Sequence, residues 1–449
     1  GQAGGQAVTR SNEARCVEYL LPGGATRLRP LRAMSASALG YLSKPSDDGV
    51  AVADTLNLAG VNAAIAKLPA TGGTVQLVPG TYDFGSSSLT INKPNVHIVG
   101  AGKGATTIAY TGTLTTAIVF NSTEPLPLAS GANLVVGGSV RSLTIEGPGF
   151  NNLSDNHRGV SLHHCQGTTI EDVEFVGVAV VLRKLSARVS GAKTFGSLVI
   201  AVGLDNASGW TKNSVQMSDC AAIGHVAQGY IFINAQGSTV SNCRAVTTGT
   251  TVPCFLVGVS TTDLQGDLTS FLMDNCVADG GQVGFQVIAP TTGQLFEGVS
   301  LNNCSSLSAA SAGFELSGGR GYSLANCAAR SSGLNAFRVA GASAVSLLAC
   351  RSLNNNTTSG ASLAAAAFKA SGTVAQLTMV GCIVRAPFAV CHGVDLAIAT
   401  LVTCVANSFG PSASATAFNA TLGAGATPNA LHSVVEDLAV TRQLNAIST

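Results

Sequence analysis

Acidic residues are scarce in this chain, and where they gather they do so beside histidine and arginine. The densest group is Glu146, Asp155, His157, Arg158, His163, His164, Glu171 and Glu174, followed by Arg183 and Lys184. Two carboxylates on either side of a glycosidic bond can supply the acid and the base or nucleophile for its hydrolysis. A base beside a cation can instead remove the proton next to a uronate carboxyl in an elimination. Asp155, Glu171 and Glu174, with His157 and Arg158, are therefore the candidate catalytic residues, against the plainer reading of a solvated face with incidental ions. His163 alternates outward from Val160 and Leu162 and is read as a binding residue beside them, with Ser161 outward too. A second candidate is the single tryptophan, Trp210, in Leu204-Asp-Asn-Ala-Ser-Gly-Trp-Thr-Lys212. An indole on a polar loop can stack on a sugar ring, with Lys212 next to it, or can simply pack the loop. Asp263 and Asp267, with Glu297 in the following unit, form a third group, read as binding residues. Cys382, Cys391 and His392 fall short of the four converging ligands of a zinc site, and there is no CxxC pair. No metal and no cofactor are expected.

These residues need a scaffold, and the scaffold is written in a repeat. From Met217 to Ala420 one phrase returns eight times: Met217-Ser-Asp-Cys220, Val240-Ser-Asn-Cys243, Met273-Asp-Asn-Cys276, Leu301-Asn-Asn-Cys304, Leu324-Ala-Asn-Cys327, Leu347-Leu-Ala-Cys350, Met379-Val-Gly-Cys382 and Leu401-Val-Thr-Cys404. An aromatic column runs between the phrases: Tyr230, Phe255, Phe285, Phe314, Phe337, Phe368, Phe388 and Phe418. Cys304, Cys327 and Cys350 are 23 residues apart, a solenoid period. Each unit alternates apolar and polar over a few residues and then meets Gly, Ser or Asn, which describes short strands and turns rather than helices. The prediction is an all-β fold, a parallel β-helix whose coils rise by about 4.8 Å, so that like stacks on like. Asp172, Asp219, Asn242, Asn275, Asn303 and Asn326 precede the stacked position and are assigned to a bend, since Asn and Asp tolerate left-handed backbone. The bend column lapses at Ala349, Gly381 and Thr403, and the last coils are expected to be less regular.

Ahead of the coils, Leu58, Val61, Ile65 and Leu68 lie on one helical face, with Asp54 as expected N-cap. Such a helix would cover the open end of the core. The run Asp48-Gly-Val50, Asp54-Thr55, this helix, Gly72-Gly-Thr-Val-Gln-Leu-Val-Pro-Gly-Thr-Tyr82 and Val96-His-Ile-Val-Gly-Ala-Gly102 resembles the start of the pectate-lyase-like β-helix superfamily, in particular its bacteriophage tailspike and depolymerase members. The resemblance spans about residues 47–104 and the coils extend it to about 420. It implies a right-handed helix, a homotrimer, and binding or cleavage of host surface polysaccharide, with virion attachment. Leu56-Asn-Leu-Ala-Gly60 departs from the family start, and no catalytic motif of the family matches residue by residue.

Composition narrows the partners. Lys and Arg number 24 against 23 Asp and Glu, a net charge of +1, and charged residues make up 10% of the chain. That balance predicts neither nucleic acid nor an anionic membrane as partner, and no apolar run is long enough to span one. So little charge suggests that copies of the chain cover part of its surface, in a trimer, or that Ser, Thr, Asn and Gly keep it soluble. Inward thiols at coil spacing read as small hydrophobes rather than disulfides, which implies folding in a reducing compartment. Residues 1–48 lack the repeat and carry Arg27-Leu-Arg-Pro-Leu-Arg32. They are read as an arm or adaptor docking on other virion or tail proteins, residues 49–420 as the β-helix, and 421–449 as a cap or oligomerisation segment. The alternatives are a non-catalytic adhesive rod and a secreted polysaccharide lyase or hydrolase acting outside the cell.

Overall fold

A computed structural model describes residues 16–20, 26–30, 50–53, 55–112, 116–121, 135–148, 158–163, 165–183, 186–190, 193–195, 199–202, 214–225, 228–233, 235, 237–247, 249–258, 268–289, 296–355, 366–372, 374–385, 392–395, 402–409, 418–419 and 430–434. Within them the chain winds as a right-handed parallel β-helix. One coil serves as the pattern. Strand Phe296–Asn302 lies in a first sheet; the chain bends at Asn303; Ser305–Leu307 forms a second sheet; Ser308 bends it again; Ala312–Ser317 joins a third sheet; and Gly318 and Gly319 return it to Arg320–Ala325 one level up. The third sheet holds thirteen strands, each parallel to its neighbour in register, as in Phe285↔Phe314↔Phe337↔Phe368.

The bends explain the residue types at them. Asn303, Asn326, Ala349, Gly381 and Ala406 have φ of 52°, 53°, 51°, 64° and 52°, and the first four donate their N–H to the coil above: Asn303 to the Ala325 carbonyl at 2.9 Å, Asn326 to that of Leu348 at 2.8 Å, Ala349 to that of Val380 at 2.8 Å, Gly381 to that of Val405 at 3.0 Å. A left-handed backbone costs an L-residue about 1–2 kcal/mol, least for Asn and Asp. The inter-coil hydrogen bond holds even Ala349 to it, so the irregularity expected there does not occur, whereas at the last bend, Ala406, the register to the next strand shifts between Val405 and Ser408. The bend of the last coil is at Ala406, not Thr403.

Inside, two ladders form. Tyr230, Phe255, Phe285, Phe314, Phe337 and Phe368 stack with ring centroids 4.8–4.9 Å apart and planes within 7°. The column then continues through Val394 and Phe418: the register passes over Phe388, which was expected in it and lies outside the described residues. The thiols of Cys220, Cys243, Cys276, Cys304, Cys327, Cys350 and Cys382 stack likewise, and the nine described free cysteines are buried. Cys327 and Cys350 each donate to a carbonyl in the coil below, Leu301 at 3.2 Å and Leu324 at 3.4 Å. Cys404 is not the eighth rung. It pairs with Met379, and Asn407 occupies the place above Cys382, accepting from the Cys382 N–H at 2.7 Å and donating to the Met379 carbonyl at 3.0 Å. An amide can cap a thiol column because it offers both a donor and an acceptor.

The helix runs Leu58–Lys67 with Val61 and Ala64 buried, and its N-cap is Asn57, whose side chain accepts from the Gly60 N–H at 2.9 Å. Asp54, the expected cap, lies outside the described residues. Gly60 is required: a Cβ there would run into the Thr55 carbonyl. Strands Cys16–Leu20 and Thr26–Pro30 pair antiparallel with each other, and Ala430–Val434 adds a parallel rung on Val402–Phe409, so coil pairing runs past residue 420.

Candidate functional site

The outward face of the first sheet in the early coils carries the most connected polar group. Alternation points His97 outward between the buried Val96 and Ile98, and register places it beside Ser139, which in turn pairs with Thr169. One column over, Val99, Arg141 and Glu171 are in line. The side chains join up: His97 Nδ1 is 2.9 Å from Ser139 Oγ, Arg141 Nε donates to the same Oγ at 3.0 Å, and the Arg141 guanidinium stands 3.8 Å from the Glu171 carboxylate. Since Ser139 Oγ accepts from Arg141, its proton is available to His97 Nδ1. Burial and then the Arg141 charge hold the His97 pKa below its ordinary value, so the imidazole is neutral near pH 7 and can take a proton. Ser139 is itself buried, which makes it a holder of the imidazole and guanidinium rather than a nucleophile. Glu171, 55% exposed, is the open end of the group.

The residues expected from sequence fall around this group unevenly. Glu171 belongs to it. Glu174 does not: the bend at Asp172, φ 54°, turns the strand Thr168–Val176 between Glu171 and Glu174, so Glu174 sits on the second sheet. There it accepts from Thr144 Oγ1 at 3.2 Å and pairs in register with Lys193. Asp172 is held by Lys103 in an ion pair. Arg158 begins strand Arg158–His163 on the third sheet, where His163 ends it. Ser161, expected outward and exposed, is wholly buried with no partner for its Oγ among the described residues; a strand covered on both faces gives no sign of this in its alternation. Asp155, His157, Trp210, Lys212, Asp263 and Asp267 lie outside the described residues. Sequence reasoning missed His97, Ser139 and Arg141. The signal was there, in the outward places of Val96-His-Ile-Val and Ser139-Val-Arg, but it needed the register between coils of unequal length.

A second charged column stands on the outer face of the third sheet: Gln286, Glu315, Arg338, Lys369 and Asp395 in register. Glu315 and Arg338 are 3.5 Å apart, Lys369 and Asp395 3.6 Å, and both carboxylates are only 13% exposed. The stripe is half-buried. Its two carboxylates are three coils apart, about 14 Å at about 4.8 Å per coil, wider than the 5–9.5 Å or so at which paired carboxylates cleave a glycosidic bond.

Residues 51–255 match the family model described as rhamnogalacturonase A/epimerase, pectate lyase-like. No curated protein matches. Among solved structures, the A-module of Azotobacter vinelandii mannuronan C-5 epimerase AlgE6 is similar, with 19% identity, TM-score 0.54, 88% of this chain covered and 98% of the other. Tailspike protein 3 of bacteriophage CBA120 gives 15% identity and TM-score 0.54 over 94% of this chain and 67% of the other. At such identities the likeness is one of fold.

Proposed function

We propose that this chain, a pectate-lyase-like right-handed parallel β-helix, is a virion-attached tailspike or receptor-binding appendage that binds host surface polysaccharide through the outward face of its early coils. The observation that carries the reading is the joined group His97, Ser139, Arg141 and Glu171. It sets donors and acceptors on a rigid flat face at steps of one coil, the scale of a sugar ring, with a guanidinium and a carboxylate at its open end. Rigid placement matters because ordering flexible side chains costs affinity. The fold likeness to a tailspike supports the setting. In this reading residues 1–48 dock on other tail proteins, copies of the chain form a homotrimer, and Trp210, Lys212, Asp263, Asp267 and His163 extend the binding face. Cleavage, with Asp155, Glu171, Glu174, His157 and Arg158 as its residues, is the second reading; what favours it is the neutral His97 linked through Ser139 and Arg141 to Glu171, a base near a carboxylate.

The test is affinity electrophoresis on a panel of bacterial surface polysaccharides, with reducing ends and the ultraviolet absorbance of unsaturated uronates followed in parallel. Retardation by one polysaccharide, weakened about tenfold in Arg141→Gln, is expected from loss of a charge-assisted hydrogen bond. Binding that is unchanged in Arg141→Gln and Glu171→Gln would remove this face from the reading. Product formation abolished by Glu171→Gln would make the chain an enzyme.

A further inference from the structure

The near-neutral net charge hides a local field. Between residues 298 and 394 the chain has six basic residues, Arg320, Arg330, Arg338, Arg351, Lys369 and Arg385, against one acid, Glu315. Three of the six are already matched, Arg320 to Glu297 at 2.7 Å, Arg338 to Glu315 and Lys369 to Asp395. The other three, Arg330, Arg351 and Arg385, are exposed, and no carboxylate among the described residues pairs with them.

Register gathers these three on one surface, the outer face of the second sheet. Arg330 pairs with Leu353 and Leu353 with Arg385, so two arginines share a column two coils apart, about 9.6 Å at about 4.8 Å per coil. Arg351 stands in the coil between them, one column over, in register with Ala328 and Ile383. At about 3.3 Å per residue it lies about 8 Å from each of the others. Leu307, Leu353 and Ile383 fill the same two columns and are half-buried. The last acid below them on this face, Asp279, is engaged by Arg244 at 3.4 Å.

We infer that this zigzag of guanidinium groups with aliphatic side chains between them is a second glycan-binding strip, one that takes a carboxylate-bearing polysaccharide laid along the coil axis. A guanidinium recognises a carboxylate as a planar fork, two N–H bonds to two oxygens. The aliphatic floor suits the C–H faces of sugar rings, and the two arginines of one column recur at the scale of every second sugar. A neutral glycan would leave the three charges unanswered. A nucleic acid backbone, with one phosphate every ~3.4 Å per strand, would meet only a sparse row of cations. The strip shares its ligand class with the face proposed above but lies on another sheet, so each can fail alone.

The experiment is a binding titration of the full chain with polygalacturonate and hyaluronate, with neutral dextran and single-stranded DNA as comparisons, at low and moderate salt. Polygalacturonate or hyaluronate should bind with an affinity that falls with salt, and dextran should not bind. Arg330→Gln, Arg351→Gln and Arg385→Gln should each weaken binding about threefold, and the triple variant by more than tenfold. Because the three side chains are exposed, the triple variant should melt like the parent, which separates lost binding from lost fold. Arg351→Lys should recover only part of the affinity, because an ammonium keeps the charge but loses the fork. The loss caused by the triple variant should persist in an Arg141→Gln background; a loss that disappears there would mean that the early-coil face is the only glycan site. Unchanged affinity in the triple variant, or DNA binding as tight as that of the carboxylated glycans at the same salt, would overturn the strip.

Discussion

The early coils, residues 51–183, and the late coils, residues 296–385, are built on one plan and filled differently. In the early part the register bulges, as between Asp83 and Gly85 and between Arg158 and Val160, and the inward places hold a mixture: Ile91, Phe120 and Leu162 succeed one another in one column. In the late part the two inward ladders repeat their residue type, ring on ring and thiol on thiol. The linked group of four different polar side chains lies with the irregularity, while the uniform coils carry two-residue ion pairs and the arginine strip on flat faces. Repetition stabilises because each unit rests on its neighbours, but it presents the same side chain at each step. A site needing four different groups in contact is more readily built where coils differ.

The contrast predicts where the fold is most sensitive. Phe314→Ala, in the middle of six stacked rings, should cost about 3–5 kcal/mol, and protection against hydrogen exchange should fall in the coils on both sides of it. The sharper comparison is Phe to Leu. Phe314→Leu forfeits two ring pairs, each about 0.5–1.5 kcal/mol beyond area, whereas Phe120→Leu, between aliphatic neighbours, forfeits none. If the two substitutions prove equal in denaturant melts, the ring ladder adds nothing beyond burial.

Two buried thiols beside the column give the next effect, and it is one of pH. Burial raises the Cys254 and Cys404 thiols from 9.0 to about 12. A thiol that stays protonated when folded but ionises when unfolded stabilises fully below about pH 9, and the contribution is lost as pH rises toward 12. By pH 10.5 or so the loss is about 2 kcal/mol per thiol, at about 1.36 kcal/mol per unit. Melts at about pH 8 and 10.5 should differ accordingly, and Cys254→Ala should remove its share of the difference. The deficit should begin in the coils that hold Cys254 and Cys404.

What the sequence disclosed follows from the same contrast. The Asn303 and Asn326 bends, the ring column and the buried thiols were legible because each recurs at nearly constant spacing. The ends of the ladders were not. Cys404 has the expected residue type at nearly the expected distance, yet the last coil takes 25 residues from Cys382 to reach Asn407, and identity outweighed spacing in the reading. In the early coils the steps are unequal, His97 to Ser139 being 42 residues and Ser139 to Thr169 thirty, so no constant period marks the group that joins Glu171. The bend at Asp172 was recognised, but its consequence, that Glu171 and Glu174 face different sheets, follows only once the strand is seen to cross it.

Two smaller effects test the bend column itself. Ala349 holds a φ of 51° that alanine disfavours, so Ala349→Gly should stabilise by about 0.5–1 kcal/mol, the relief of left-handed strain less the greater freedom of unfolded glycine. No gain in a urea melt would mean that the Val380 carbonyl bond already makes the position insensitive to residue type.

The smallest change expected is at the early end of the same column. Asp172 serves both as bend residue and as partner of Lys103, and the late bends Asn303 and Asn326 hold the same backbone without a charge. Asp172→Asn therefore keeps the left-handed preference and loses only an ion pair whose carboxylate is half exposed, worth about 0.5 kcal/mol after screening. That difference should vanish near 1 M salt, where the screening length is about 3 Å. A loss of more than about 1 kcal/mol that persists in salt would mean that the early bend, unlike the late ones, depends on its charge, and that the two halves of the helix turn their corners by different means.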